Sequence, residues 1–308
     1  MHYAMVIINP MARGGASGKT WPLINKILRT TDLPFDYKFI QHPGHGTEIA
    51  REAVDKGYNL VIAVGGDGTV NEVVNGIIDD NGKGQATLGV IGAGTMNDIA
   101  HTLNIPWDYV RASQLFDNFK KITIDIGAVA YTKRNKVIRR YYINTASVGF
   151  ISDLLEIPPS LAKLKSINGT IPYAIGAMPK AFYYRNKELL FSIDGERRAE
   201  RDFSVVVNNG RYLGGGRVFP NATPCDGLLD VAIIGDMSRL EALLNFPLIY
   251  TGTRVNRRKI AFQKARNVAL DSPQRLPVQV DGELVGETPA TFWVVPAALE
   301  VATRSFRG

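Results

Sequence analysis

Three glycines within four positions surround one carboxylate in Gly65-Gly66-Asp67-Gly68. An apolar run precedes them and a helix-like run follows. Glycines at a strand-to-helix turn let the backbone approach a ligand closely. The first N–H groups of the following helix lack intrahelical partners and favour an anion. Phosphate suits such a place, yet an aspartate beside it would repel it. A cation between the two removes the conflict, and Mg²⁺ commonly joins carboxylates to nucleotide phosphates, often through water. Asp67 therefore points to a Mg–nucleotide site, with a glycine-rich turn and a capping aspartate as the plain alternative. The pattern recurs: Gly66-Asp67-Gly68-Thr69-Val70-Asn71-Glu72 and Gly92-Ala93-Gly94-Thr95-Met96-Asn97-Asp98 both read G-x-G-T-x-N-acid. Other nucleotide motifs fail on spacing. Asn71 and Asn97 stand where a dinucleotide fingerprint needs its third glycine, and in "RGGASGKT" Arg13 stands where a Walker A loop needs its first.

The elements that must carry these loops follow from periodicity. Over roughly the first 120 residues, apolar strand-like runs ("YAMVIIN", "FDYKFIQ", "NLVIAV", "ATLGVIG") alternate with helix-like runs ("GKTWPLINKILRT", "TEIAREAVDKG", "VNEVVNGII", "TMNDIAHTLNI"). Thr47 is a candidate N-cap and Gly57 a candidate C-cap for the second helix. Such alternation predicts a mostly parallel sheet covered by helices, and both glycine loops then leave the edge where open α/β sheets bind ligands. Beyond residue 121 the texture is strand-rich: "ITIDIGAVAY", "RRYYINTASVGF", "ELLFSIDG", "DFSVVVNN", "LLDVAIIG", "KIAFQKARNVALD" and "LPVQVDGELV". Asp-Gly at 194–195 and 281–282 marks tight turns. An antiparallel sandwich or barrel is expected over 122–295, interrupted by helical insertions near 151–185 and 238–252. The last 10–15 residues, with the strand "ALEVATRSF", are candidates to return to the 1–121 domain.

Taken together, these residues resemble the bacterial diacylglycerol-kinase-like lipid kinases, a superfamily that includes sphingosine and ceramide kinases. The likeness rests on "INPMARGG" at 8–15, "GGDGTVNEVVNGI" at 65–77, "GTMNDIA" at 94–100, "IDIG" at 124–127, "FPNATPCDGLLDV" at 219–231 and "VDGE" at 280–283. GGDGT alone is shared with NAD kinases; the ordered set is specific. The resemblance implies a phosphofructokinase/NAD-kinase-like α/β domain, then a β-sandwich domain, with the active site in the cleft between them. It implies ATP as co-substrate, lined by Asn9, Pro10, Met11, Ala12 and Arg13, by Gly66, Asp67, Gly68, Thr69, Val70, Asn71 and Glu72, and by Thr95. It implies a catalytic Mg²⁺ held by Asp67, Asp98 and Asp125 through ordered water, and Glu283 as general base. A second, structural Mg²⁺ would take the Asp226 side chain with backbone carbonyls of Thr223 and Leu228. The family's threonine near position 41 is replaced by "IQHPGHG", which puts that nucleotide contact in doubt. Read without the family, Asp125 breaks an apolar run and needs a buried partner, a metal network or a salt bridge. Glu283 alone reads as a solvated hairpin glutamate, and "TPCDGLL" as a loop.

The chain has 308 residues, a formal net charge of +7 and one cysteine, Cys225. One cysteine excludes an internal disulfide and suits a reducing, cytoplasmic setting. The N-terminus reads as a first strand, not a signal peptide, and no apolar run reaches the ~18 residues of a membrane span. Positive charge favours anionic partners. Lys133, Arg134, Lys136, Arg139 and Arg140 form one basic cluster, and Arg254, Arg257, Arg258 and Lys259 another. Each is either a solvated face or an attraction to anionic phospholipid at the inner membrane face. His42, His45 and His101 lack metal-ligand spacing and read as loop or surface histidines. No motif supports nucleic acid; an edge strand of the second domain leaves a homodimer open. The expected activity is transfer of the γ-phosphate of ATP to a lipid hydroxyl, most simply that of diacylglycerol. An NAD-kinase-like enzyme with a soluble acceptor and a silent nucleotide- or lipid-binding protein are the alternatives.

Overall fold

A computed structural model describes residues 2–153, 155, 184–238, 241 and 259–304. Most of the expected helical insertions at 151–185 and 238–252, together with Arg254, Arg257 and Arg258, lie outside the described residues. The chain divides into two compact units, Met1–Asp125 with Pro296–Gly308, and Ile126–Val295. The divisions fall inside two long strands, β5 (Lys120–Lys133) and β15 (Glu283–Thr303).

In the first unit, β1 (Ala4–Ile8), β3 (Leu60–Gly65) and β4 (Thr87–Gly92) are buried at every position. Such runs are read as strands covered on both faces. The in-register parallel order is β4–β3–β1–β2, with β2 (Phe35–Phe39) at one edge and the end of β15 joining β4 through Val301 opposite Leu88. Helices α2 (His45–Asp55) and α3 (Asp67–Ile77) pack together, as do α1 (Ala16–Leu28) and α5 (Tyr109–Gln114). Sequence periodicity missed α5, whose N-terminus is fixed by Asp108 accepting from the Val110 amide at 3.0 Å. Gly57 does follow the end of α2 at φ 84. Thr47 is not its N-cap: the helix starts earlier, after Gly44, and the Thr47 hydroxyl donates to the Glu72 carbonyl at 2.8 Å. The helix expected over "TMNDIAHTLNI" shrinks to α4 (Asp98–Thr102), because Asn97 turns left-handed at φ 52.

The second unit is antiparallel. One set of strands runs β12 (Ile260–Ala265), β11 (Leu229–Ile234), β10 (Ser204–Asn208), β7 (Thr145–Gly149), β14 (Pro277–Val280) and the start of β15. The other links β9 (Glu196–Asp202), β8 (Lys187–Ile193), β13 (Asn267–Asp271), β15, β5 and β6 (Lys136–Tyr142). Their inward faces share one apolar core that includes Val129, Tyr142, Val148, Phe191, Val231, Val278 and Phe292. Both Asp-Gly pairs form left-handed hairpin turns, Asp194-Gly195 between β8 and β9 and Asp281-Gly282 between β14 and β15. Two runs expected as single strands are broken. "RRYYINTASVGF" divides at 143–144, and "KIAFQKARNVALD" at Arg266. The glycine of "IDIG" has a packing reason. Gly127 faces Tyr142 across β5–β6, and a Cβ there would lie 2.0 Å from the Tyr142 ring.

Asp202 closes β9 with 1% of its surface exposed and its Oδ2 without a hydrogen-bond partner among the described residues. Burial first, then the charges of Glu200 and Asp236, push its carboxyl up to about 7. The folded state thus holds this proton more tightly than the unfolded chain, and stability falls as pH rises from the ordinary carboxylate range to about 7. Asp202→Asn removes that loss. Thermal unfolding at pH 5 and pH 8 should show the variant gaining on wild type at pH 8, by up to ~3 kcal/mol on the scale of ~1.4 kcal/mol per pH unit. An unchanged difference at the two pH values would refute it.

Candidate functional site

Strand register sets the site of the first unit. Ile8 pairs with Val64, and Gly65 with Gly92, so β1, β3 and β4 end level with one another. The loop 9–15 and the two G-x-G-T loops all leave from this carboxyl edge. The Asn9 Nδ2 donates to the Thr69 hydroxyl at 3.1 Å, while its Oδ1 accepts the Met11 amide at 3.0 Å. One side chain thereby ties "INPMARGG" to the start of α3. The rest of that loop turns through three successive left-handed residues, Arg13, Gly14 and Gly15.

The glycines of the repeated motif have a reason that spacing did not reveal. A Cβ on Gly94 would sit 2.3 Å from the Cα of Gly66. The two loops touch backbone to backbone, and the Ala93 amide donates to the Gly65 carbonyl at 2.8 Å. Asn97 closes the second loop on itself, accepting the Gly94 amide at 2.9 Å. The asparagine of the motif therefore does in the second loop what a cap residue does for a helix. No side chain caps α3 from Gly66.

Asp67 sits in this junction, and its Oδ1 accepts the Ile99 amide at 3.0 Å. Burial pushes its carboxyl up, against the backbone amides of Ile99, Asp98 and Asp67 itself and the charge of His101. Desolvation prevails, so the ionised form lacks compensating charge. Asp98 and Asp125 are also buried, at 5% and 4% exposure. Asp98 opens α4 beside Ile99, and Asp125, on β5, accepts the Ala297 amide at 2.7 Å. All three aspartates belong to the first unit. Carboxylate oxygens are the donors that hard cations take, but these three do not close a direct metal shell: among the described residues, the side chains whose ligand atoms lie within 4.8 Å of one another are those of His42, His45 and Glu48. Glu72, expected beside the nucleotide, has its carboxylate engaged by the Gly44 and Gly46 amides at 2.9 and 2.8 Å. It holds the start of α2 against α3. Within that turn the rings of His42 and His45 stack at 4.7 Å, near Glu48, and the Gln41 amide points at Nδ1 of His45 at 3.1 Å. The two are the surface or loop histidines expected, but the expected lack of metal-ligand spacing does not hold for them: their ligand atoms and that of Glu48 lie within 4.8 Å of one another.

Glu283 lies in the second unit, and its Oε2 accepts from the Arg140 Nη2 at 2.7 Å. The neighbouring Asp281, read from sequence only as a turn residue, is buried. It accepts the amides of Ile143 at 3.0 Å, Asn144 at 3.1 Å and Thr145 at 2.8 Å. The Ile143 and Asn144 amides fall where the strand breaks, and Asp281 accepts them together with that of Thr145 at the start of β7. Asp281 thus fixes the turn that presents Glu283. Its Asp-Gly-Glu context was the available signal, whereas Arg140 carried none beyond being basic. Thr223 and Leu228 flank Asp226, whose carboxylate is met by the Leu228 amide and the Lys264 ammonium.

Comparison with known proteins bears on the family and the fold. Residues 3–129 match the family described as the diacylglycerol kinase catalytic domain. Residues 160–303 match the family described as the YegS C-terminal NAD kinase beta sandwich-like domain. The chain is 30% identical over 301 residues to a diacylglycerol kinase of Staphylococcus carnosus, covering 97% of this chain and 94% of the relative. It is 32% identical over 252 residues to one of Bacillus subtilis, covering 81% and 79%. A crystal structure of a diacylglycerol kinase from Bacillus anthracis str. Sterne superposes with a TM-score of 0.72 at 22% identity, covering 97% of this chain and 96% of that one. That likeness bears on the fold. The chain belongs to the bacterial diacylglycerol-kinase-like family of lipid kinases.

The contact between the glycine loops is directly testable. Gly94→Ala forces the Gly66 and Gly94 backbones apart, an overpacking expected to lower stability by ~1–3 kcal/mol. Chemical denaturation measures the loss, and wild-type stability would show that the loops do not touch.

Proposed function

We propose that this protein is a lipid kinase that uses Mg–ATP to phosphorylate a lipid hydroxyl, that of diacylglycerol giving phosphatidic acid. The observation that supports it most is the gathering of Asp67 and Asp98 at the carboxyl edge of the parallel sheet, between two glycine loops, with Asp125 buried in the same unit. Phosphoryl transfer needs positioning and charge neutralisation more than covalent chemistry. The loop from Asn9 to Arg13, residues Gly66 to Glu72 and Thr95 would bind the nucleotide. Asp67, Asp98 and Asp125 would hold Mg²⁺, through water. When bound, that ion neutralises charge on the phosphates. Glu283 takes the proton of the acceptor hydroxyl; its oxygen then bonds to the γ-phosphorus as the bond to ADP breaks. Arg140 holds one oxygen of Glu283, and the other remains to meet the hydroxyl.

The lipid acceptor places the reaction at a membrane surface. No helix among the described residues is long and apolar enough to cross a bilayer. The hairpin joining β5 and β6 supports a peripheral mode of contact. Lys133, Arg134 and Lys136 are exposed there, beside Val137 at 77% exposure. A basic hairpin tip with an exposed apolar residue on the adjoining strand suits the anionic face of the inner leaflet. Co-sedimentation with phosphatidylglycerol vesicles should weaken severalfold in Lys133→Glu/Lys136→Glu, and unchanged binding would remove the hairpin from this role.

Labelled ATP offered with a lipid extract, with diacylglycerol or with NAD tests the reading. NAD belongs in the comparison because the sandwich matches an NAD-kinase-like domain. Label is expected in phosphatidic acid; label in a soluble nucleotide would refute the lipid acceptor. Glu283→Gln should lower kcat by about 10²–10⁴-fold with Mg–ATP binding retained. Asp67→Ala should abolish turnover with the fold intact. Full activity in either variant would contradict the assigned roles.

A further inference from the structure

Asp226 lies in the turn-rich stretch 223–228, where the resemblance implies a structural Mg²⁺. The donors around its carboxylate contradict that. The Leu228 amide donates to Oδ1 at 3.1 Å, in a tight turn that Gly227 permits at φ 72. The Lys264 ammonium donates to Oδ2. Both oxygens are thus occupied by groups that donate protons and cannot themselves bind a metal. Lys264 stands on β12 directly opposite Asp230 of β11, which puts the two side chains on one face of the sheet. Its Nζ lies 3.9 Å from the Asp230 Oδ2, an atom with no hydrogen-bond partner among the described residues. One ammonium therefore stands between two carboxylates, at the point a divalent ion would have to enter.

Mg²⁺ keeps a near-octahedral shell of oxygens at about 2.0–2.1 Å. Bound to Asp226, it would lie within a few ångströms of the Lys264 ammonium, a positive charge already seated on the same carboxylate. The ammonium, by contrast, is carried by the chain itself and is always present. Asp230 and Lys264 belong to the ladder, so their separation is set before the 223–228 turn docks.

We propose that Lys264 is the built-in counter-ion of the Asp226–Asp230 pair, and that it fastens the 223–228 turn to β12 in place of a second Mg²⁺. The need for divalent ion is then confined to the nucleotide site. The second unit keeps its stability in chelator. This inference concerns stability without nucleotide, so it stands or falls separately from the kinase activity.

Thermal unfolding of the full chain without nucleotide, in EDTA and in millimolar MgCl₂, tests it. Wild type and Asp226→Asn should respond equally to MgCl₂, because any ion taken up at the aspartates of the first unit affects both. Lys264→Met should unfold at lower temperature in EDTA and recover a few degrees with MgCl₂. The part of that recovery that exceeds the response of wild type should vanish in Lys264→Met/Asp226→Asn. Lys264→Met unfolding like wild type in EDTA, or failing to respond to MgCl₂, would overturn the proposal. So would stabilisation of wild type by MgCl₂ that Asp226→Asn abolishes, a comparison that holds even if Lys264→Met does not fold.

Discussion

The structure depends on negative charge that burial leaves under-compensated. Asp67 is partly buried at the edge of a parallel sheet, and desolvation raises its carboxyl against the backbone amides around it. A cation bound there would favour its ionised form, and a cation at that edge would attract phosphate. The surrounding features serve this condition. Level strand ends bring three loops to one edge, glycine backbones let two of them touch, and Asn9 and Asn97 hold the loops with side-chain amides.

Elsewhere among the described residues, carboxylates are balanced by different means. Asp281 receives three backbone amides from a broken strand. Glu72 receives two from the turn before α2. Asp226 and Asp230 share a lysine. Asp202, with no such partner described, keeps its proton up to about neutral pH. The solutions differ in consequence. An ammonium competes directly with a cation for a carboxylate, whereas an amide, such as the Ile99 N–H at the Asp67 Oδ1, brings no full charge.

Much of this was legible in the amino-acid chain. The buried strands of the first unit announce themselves as unbroken apolar runs, and the two Asp-Gly turns are where φ must be positive. Asp67 could be read from the conflict between a carboxylate and a phosphate-binding turn. Long-range partners could not. Nothing local to "RRYYINTASVGF" says that Asp281 will break it, since the amides involved lie 136–138 residues away. Lys264 looks like one basic residue among 36 until the β11–β12 register sets it opposite Asp230. Within the strand-like run "ITIDIGAVAY" nothing local says that its glycine makes room for Tyr142.

The central claim is that Asp67, Asp98 and Asp125 together hold the divalent ion that accompanies ATP. Electron paramagnetic resonance of Mn²⁺, standing in for Mg²⁺, reports ion bound to protein directly, with no turnover required. Titrating wild type with Mn²⁺ and ATP should give a protein-bound signal that weakens at least tenfold in affinity in Asp67→Asn, and in Asp98→Asn and Asp125→Asn as well. An undiminished bound signal in all three variants would contradict the account.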